Sequence, residues 1–182
     1  FILISRMLWN KGILEYVEAA KKIKKINFNV SFQLLGPIDK ENDHYIPREK
    51  IDLWCQDKTI DYLGETDDVR PYILKSNCVV LPSYREGIPR ILLQACSMCR
   101  PIITSNAPGC KDIVDNNSNG YICNVRDVDD LEDKFNNFLN LNIVEKEQMG
   151  LKARSLIEKK FDENIVNDKY LKEIGQILKK KI

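Results

Sequence analysis

Short apolar runs alternate along the chain with longer stretches in which apolar residues recur at every third or fourth position. Phe1-Ile2-Leu3-Ile4-Ser5, Val30-Ser31-Phe32-Gln33-Leu34-Leu35 and Thr59-Ile60-Asp61-Tyr62-Leu63 are of the first kind. So are Cys78-Val79-Val80-Leu81-Pro82, Pro101-Ile102-Ile103-Thr104 and Tyr121-Ile122-Cys123. Runs this short and apolar predict strands buried on both faces. Between them, Ile13, Leu14, Val17, Ala20 and Ile23 recur at helical spacing and predict a helix over 11–25. Ile51, Trp54 and Cys55 share a face over 47–57, with Pro47 where a first helical turn tolerates it. Asp67 or Asp68 can cap a helix to about Lys75, and Pro89 stands in the first turn of one over 89–98. A short helix near 110–115, a turn at Asn119-Gly120 and helices near 127–140, 144–159 and 162–180 complete the pattern.

Strands alternating with helices predict an α/β fold, a Rossmann-like parallel sheet with helices on both faces. In the doubly wound order 3-2-1-4-5-6, the first and fourth strands are neighbours, and ligands bind in the crevice between their C-terminal ends. This order requires the chemistry to lie just after Ser5 and just after Pro82.

Composition narrows the class. The 182 residues are 43% hydrophobic and 30% charged, enough for one full core without staples. No apolar run approaches the roughly 18 residues needed to cross a bilayer. Lys and Arg number 28 against 27 acidic residues, so no overall field draws nucleic acid. The first residues already read as a core strand, and we expect further chain upstream of Phe1. Most of the six cysteines stand in apolar runs and read as buried reduced thiols. Cys96-Ser97-Met98-Cys99 has CxxC spacing but closes a helix, whereas a redox pair opens one. It also lacks the further ligands that zinc requires. His44, the one histidine, reads as a loop residue, which argues against a His-based metal site or triad. Lys179-Lys180-Lys181 reads as a solvated helix end.

The two loops singled out by topology do carry chemistry. Arg6-Met7-Leu8-Trp9-Asn10-Lys11-Gly12 follows the first strand and supplies two cations, a planar fork and a mobile point charge suited to a diphosphate. Ser83-Tyr84-Arg85-Glu86-Gly87-Ile88-Pro89 follows the fourth and runs into a helix N-terminus. Gly87 lets backbone N–H groups approach an anion or a sugar hydroxyl, and Glu86 suits hydroxyl donors better than phosphate. The plainer alternatives are a surface pair between Arg6 and Glu86 and an ordinary exposed Lys11. No GxGxxG follows the first strand, so no dinucleotide cofactor is expected, and no P-loop motif exists. Asp127-Val128-Asp129 has DxD form, but its place at a helix start makes it a cap.

These segments resemble the GT4-type retaining glycosyltransferases of GT-B fold. The likeness is carried by Ser5-Arg6 with Lys11-Gly12, Leu63-Gly64-Glu65-Thr66-Asp67-Asp68-Val69 and Leu81-Pro82-Ser83-Tyr84-Arg85-Glu86-Gly87-Ile88-Pro89. Gly109-Cys110-Lys111-Asp112-Ile113-Val114 and Asn119-Gly120-Tyr121 extend it. The resemblance spans nearly the whole chain and implies that 1–182 is the C-terminal, donor-binding half of such an enzyme, with the acceptor domain outside it. The flavour is that of bacterial capsule, O-antigen and glycan-assembly enzymes, including PglA-like N-acetylgalactosaminyltransferases.

The resemblance implies that Arg6 and Lys11 hold the donor diphosphate and that Glu86 contacts the transferred sugar. Gly87, Ile88 and Pro89 would line sugar and phosphate, and backbone near Thr66 would meet the nucleobase. It implies a nucleotide-sugar donor, UDP-linked, and a glycan or lipid-linked acceptor. No metal or other cofactor is implied. The setting that the resemblance implies is cytoplasmic, extending to peripheral association of the whole protein with the inner face of the membrane. One departure stands out: the family spaces two Glu residues with seven between, and the second position here is Gln94. Gln keeps a carbonyl acceptor for the ribose hydroxyls and adds an amide donor, at a cost of about 1 kcal/mol of charge-assisted binding. Ser5, where the family often has Gly, is a milder change. Two further readings are a degenerate half that binds sugar nucleotide or a protein partner without turnover, and a sugar-nucleotide epimerase of the same fold.

Overall fold

The computed structural model describes residues 1–27 and 29–179. Among them, six strands form one sheet: β1 (Ile2–Ile4), β2 (Gln33–Leu35), β3 (Asp61–Tyr62), β4 (Val79–Leu81), β5 (Ile102–Ser105) and β6 (Gly120–Cys123). Their order is β3-β2-β1-β4-β5-β6 and every pair is parallel. This is the doubly wound order that the alternating pattern predicts.

Among the described residues, seven α-helices connect and flank the strands: α1 (Ile13–Ile26), α2 (Arg48–Gln56), α3 (Arg70–Lys75), α4 (Arg90–Ser97), α5 (Val128–Asn140), α6 (Ile143–Lys160) and α7 (Glu163–Lys179). Successive strand side chains point to opposite faces, and here both faces are buried. Leu3, Leu34, Val80 and Ile103 join the core built with α1, α2 and α5. Ile2, Ile4, Leu35, Val79, Leu81 and Ile102 join the core built with α3, α4 and part of α6. That two-sided burial is why the strands read as continuous apolar runs instead of alternating ones.

Several boundaries differ from the expected ones for identifiable reasons. Pro47 and Pro89 stand just ahead of α2 and α4, at the cap positions, and not within the first turns. The reversal before β6 falls at 117–119. Gly120 already belongs to the strand, where an added Cβ would come within 2.1 Å of the Ile102 carbonyl oxygen. The N-cap of α3 is Val69 and not Asp67 or Asp68, although Asp68, one residue ahead of it, accepts from the Arg70 amide at 3.0 Å. Asp127 caps α5 by accepting from the Asp130 amide at 2.9 Å, so the DxD is a cap. Of the Lys179–Lys181 run, Lys180 and Lys181 lie outside the described residues. Among the described residues, no helix is long and apolar enough to cross a membrane.

All six cysteines are free thiols. Cys78, Cys96, Cys110 and Cys123 are buried, as the apolar runs predict, whereas Cys55 and Cys99 are only partly covered. Burial pushes the thiols of Cys78, Cys96 and Cys123 up to about 12. Cys96 ends inside α4 while Cys99 follows it in the left-handed region, φ 55°, so the CxxC straddles a helix end. Iodoacetamide at pH 8 is expected to label Cys55 and Cys99 on the folded protein. Peptide mass mapping should find the other four modified only after denaturation.

Candidate functional site

β1 and β4 lie side by side, so the loops that leave their C-terminal ends meet. After β1 the chain passes Arg6, turns through a short 3₁₀ segment at Trp9–Lys11 and enters α1 at Gly12. Gly12 has φ 73°, and a Cβ there would stand 2.1 Å from the Pro82 carbonyl oxygen. Only glycine lets the two loops approach this closely. On the other side, Gly109 has φ 80°, and its added Cβ would overlap the Gly87 carbonyl oxygen at 1.4 Å. The 82–87 segment is therefore gripped between two glycine contacts.

Lys11 and Glu86 meet in that grip. Lys11 Nζ donates to Glu86 Oε1 at 2.6 Å, with side chains only 17% and 15% exposed. Ser83 Oγ lies 2.8 Å from the same Oε1 and 3.0 Å from the Asn10 carbonyl, so its single proton serves one of them at a time. The Tyr84 amide donates to the Asn10 carbonyl at 2.9 Å, and Ser105 Oγ donates to the Ser83 carbonyl. The hydrogen bonds to Glu86 all fall on Oε1, which leaves Oε2 to be offered elsewhere. An ammonium has three protons, and Lys11 spends one on Glu86.

Arg6 does not make the surface pair with Glu86 that the sequence offered as the plainer alternative. It leaves the same strand end but is 55% exposed, and its Nη1 donates to Asp39 at 2.8 Å, not to Glu86. Asp39 follows β2, the neighbouring strand, and captures the guanidinium. Such a surface pair is worth about 0–1 kcal/mol, so Arg6 is easily released.

Gly87 and Ile88 are exposed, and among the described residues neither amide donates to a protein acceptor. A Cβ at Gly87 would meet no atom within 4 Å, so the fold itself does not require glycine there. Pro89 is buried at φ −70° and α4 begins behind it without a capping side chain. Gln94 is exposed on α4 and makes no side-chain hydrogen bond among the described residues. Its amide is not buried and does not bond neighbouring backbone. Thr66 follows β3, where its Oγ1 donates to the Asp68 carbonyl and accepts from the Asp68 amide. At about 4.8 Å per strand, β3 places Thr66 roughly 10 Å along the sheet edge from the β1 loop. A cleft of about 410 Å³ bordered by Phe1, Ser31, Gln33, Asn77 and Lys146 lies at the opposite, N-terminal end of the strands.

Sequence reasoning missed three contributors. Ser83 and Gly109 belong to quoted motifs, but their roles depend on contacts across the fold. Glu15 lies outside the apolar positions that predict the first helix, yet it is 7% exposed and accepts from the Tyr84 hydroxyl at 2.7 Å. Burial, with that carboxylate beside it, pushes the Tyr84 phenol up to about 12.

A parallel doubly wound domain with charged loops converging at its switch point belongs to the class of α/β proteins that bind ligands at the C-terminal ends of their strands. Residues 1–156 match the family model described as glycosyl transferases group 1, and the chain belongs to that family. It is 29% identical over 179 residues to the N,N'-diacetylbacillosaminyl-diphospho-undecaprenol alpha-1,3-N-acetylgalactosaminyltransferase of Campylobacter jejuni, covering 98% of this chain and 45% of that one. It is 30% identical over 171 residues to the UDP-Gal:alpha-D-GlcNAc-diphosphoundecaprenol alpha-1,3-galactosyltransferase of Escherichia coli, covering 87% and 43%. The chain thus spans less than half the length of these two relatives. Among solved structures, a glycosyltransferase from Rickettsia africae superposes with a TM-score of 0.86 at 24% identity, over 98% of this chain and 48% of that one. That likeness establishes the shared fold.

The two loop glycines should behave oppositely. Gly109→Ala must displace the Gly87 carbonyl and occupy a strained φ, and is expected to cost about 2–4 kcal/mol in urea unfolding. Gly87→Ala is expected to stay within about 1 kcal/mol of the parent.

Proposed function

We propose that this domain is the donor-binding half of a retaining, metal-independent glycosyltransferase. In this reading the whole protein moves a hexosyl or N-acetylhexosaminyl group from a UDP-sugar to a glycan or lipid-linked acceptor. The acceptor site belongs to a second domain, so 1–182 alone binds donor and transfers little. The observation that carries the reading is the Lys11–Glu86 contact across the switch point, 2.6 Å long and largely covered. It sets a cation for a diphosphate beside a carboxylate for sugar hydroxyls. The two relatives support the donor and acceptor classes: one is a UDP-Gal-dependent galactosyltransferase, and both names specify a diphospho-undecaprenol acceptor. Such an acceptor also supports action at the cytoplasmic face of the membrane.

The residues suit the chemistry as follows. Lys11 turns its remaining protons to the diphosphate, and Arg6 leaves Asp39 to join it. Gly87 and Ile88 amides donate to phosphate or sugar oxygens, and Pro89 shapes the entrance of α4. Glu86 Oε2 accepts from a hydroxyl of the transferred sugar. The Thr66 backbone meets the base and Gln94 the ribose. The acceptor oxygen bonds to the anomeric carbon on the face that the diphosphate leaves, and the anomeric carbon–oxygen bond to phosphate breaks. The departing phosphate oxygen takes the acceptor proton. Negative charge grows on that oxygen in the transition state, where each cationic hydrogen bond contributes about 1.5–3 kcal/mol.

Isothermal titration with UDP and with uridine tests the diphosphate assignment. Lys11→Ala and Arg6→Ala are each expected to weaken UDP by about 1–3 kcal/mol and leave uridine unchanged. Equal losses for both ligands would mean the loop had collapsed. In the whole protein the same changes should lower turnover, while UDP binding without turnover by the parent would favour the degenerate reading.

Gln94 is tested by comparing UDP with its 2′,3′-dideoxy analogue. Gln94→Leu is expected to weaken UDP selectively, and Gln94→Glu to hold or tighten it. Because Gln94 is exposed, neither change should alter the melting temperature by more than a degree or two.

A further inference from the structure

We propose that Glu15 and Arg126 are positioning residues that clamp Tyr84 and thereby hold the Ser83–Glu86 loop against Lys11. The inference rests on the reading of this crevice as a donor site and adds residues that the motifs do not contain.

Glu15 lies in the first turn of α1 and is 93% buried, since 7% of its surface is exposed. Its Oε1 accepts from Tyr84 Oη at 2.7 Å. Its Oε2 is the one buried side-chain nitrogen or oxygen among the described residues without a hydrogen-bond partner. A half-satisfied buried carboxylate is costly, and the positive end of α1 recovers only part of that cost. The one bond the carboxylate makes is to Tyr84.

Tyr84 is held on its other sides as well. Its amide donates to the Asn10 carbonyl at 2.9 Å, which ties it to the turn carrying Lys11. The Arg126 guanidinium lies over its ring, 4.5 Å from the centroid. Arg126 follows β6 and has φ 60°, a left-handed conformation that a non-glycine residue adopts only at a cost. One residue thus joins α1 through its hydroxyl, the β1 loop through its amide and the β6 loop through its ring. Ser83 precedes it directly and Glu86 follows closely, and these two meet at 2.8 Å. A phenol raised to about 12 remains a donor at every working pH.

The clamp predicts a local effect that a general loss of stability would not produce. In the 1–182 chain, amide hydrogen exchange read by mass spectrometry should be at least fivefold faster over 83–89 in Tyr84→Phe and in Glu15→Leu. Segments covering β1 and β5 should exchange as in the parent. UDP affinity should fall five- to tenfold in both. Glu15→Gln keeps an oxygen acceptor for the Tyr84 hydroxyl and should restore both readouts to within twofold. Combining Glu15→Leu with Tyr84→Phe should be no worse than either alone, because both remove the same bond. Parental exchange over 83–89, uniform acceleration of every segment, or faster loop exchange with parental UDP affinity would each overturn the clamp. If the parent itself does not bind UDP, the donor-site reading fails, and the exchange pattern alone decides whether Glu15 holds the loop.

Discussion

A methyl group added at Gly12 would sit 2.1 Å from the Pro82 carbonyl oxygen, and one at Gly109 would overlap the Gly87 carbonyl. Three chain reversals, after β1, β4 and β5, are therefore in backbone contact at the ligand end of the sheet. Side-chain geometry there follows from backbone packing. Lys11 precedes Gly12 and Glu86 precedes Gly87, so the cation and the carboxylate are carried by the two residues adjoining the closest approaches. Their 2.6 Å contact is a consequence of how the strands are wound.

This arrangement makes the Lys11–Glu86 pair a brace between the two loops and, in the proposed reading, a binding element as well. Removing one partner leaves the other partly covered and uncompensated, which is why such pairs resist substitution. Each partner nonetheless keeps capacity for a ligand, two protons on Lys11 and Oε2 on Glu86. Arg6 is organised differently. Its exposed bond to Asp39 contributes little and breaks at little cost, so one cation is fixed in advance and the other is held in reserve. Fixing only one limits the repulsion between two cations when no anion lies between them.

The winding of the chain was legible because parallel strands buried on both faces leave continuous apolar runs, and because Lys11, Glu86 and Gly87 stand where the switch point demands. Local signals also read through: Asp127 caps α5, and the cysteine pair closes α4. What did not read through is pairing across distance. Arg6 joins Asp39 because β2 neighbours β1, a relation that the order of strands shows and single residues do not. Tyr84 joins Glu15 at a separation of 69 residues, and in sequence each looks like an ordinary polar position. Proline placement was one position early at Pro47 and Pro89, since a cap and a first turn have the same φ.

The two helices that begin at the crevice differ in how much of their field is already used. α1 opens with Glu15 in its first turn, and that buried carboxylate takes up the positive end of the helix from within. α4 opens behind Pro89 with no acidic residue in its first turn and no capping side chain. The Gly87 and Ile88 amides ahead of it also donate to no described protein group. Field and donors unspent at one helix and consumed at its neighbour make the crevice asymmetric, with an anion favoured on the α4 side. Glu86 stands between them with one oxygen turned to Lys11. In the donor-site reading proposed above, a diphosphate would lie on the side of Lys11 that faces the α4 entrance, with Glu86 Oε2 left to a sugar hydroxyl.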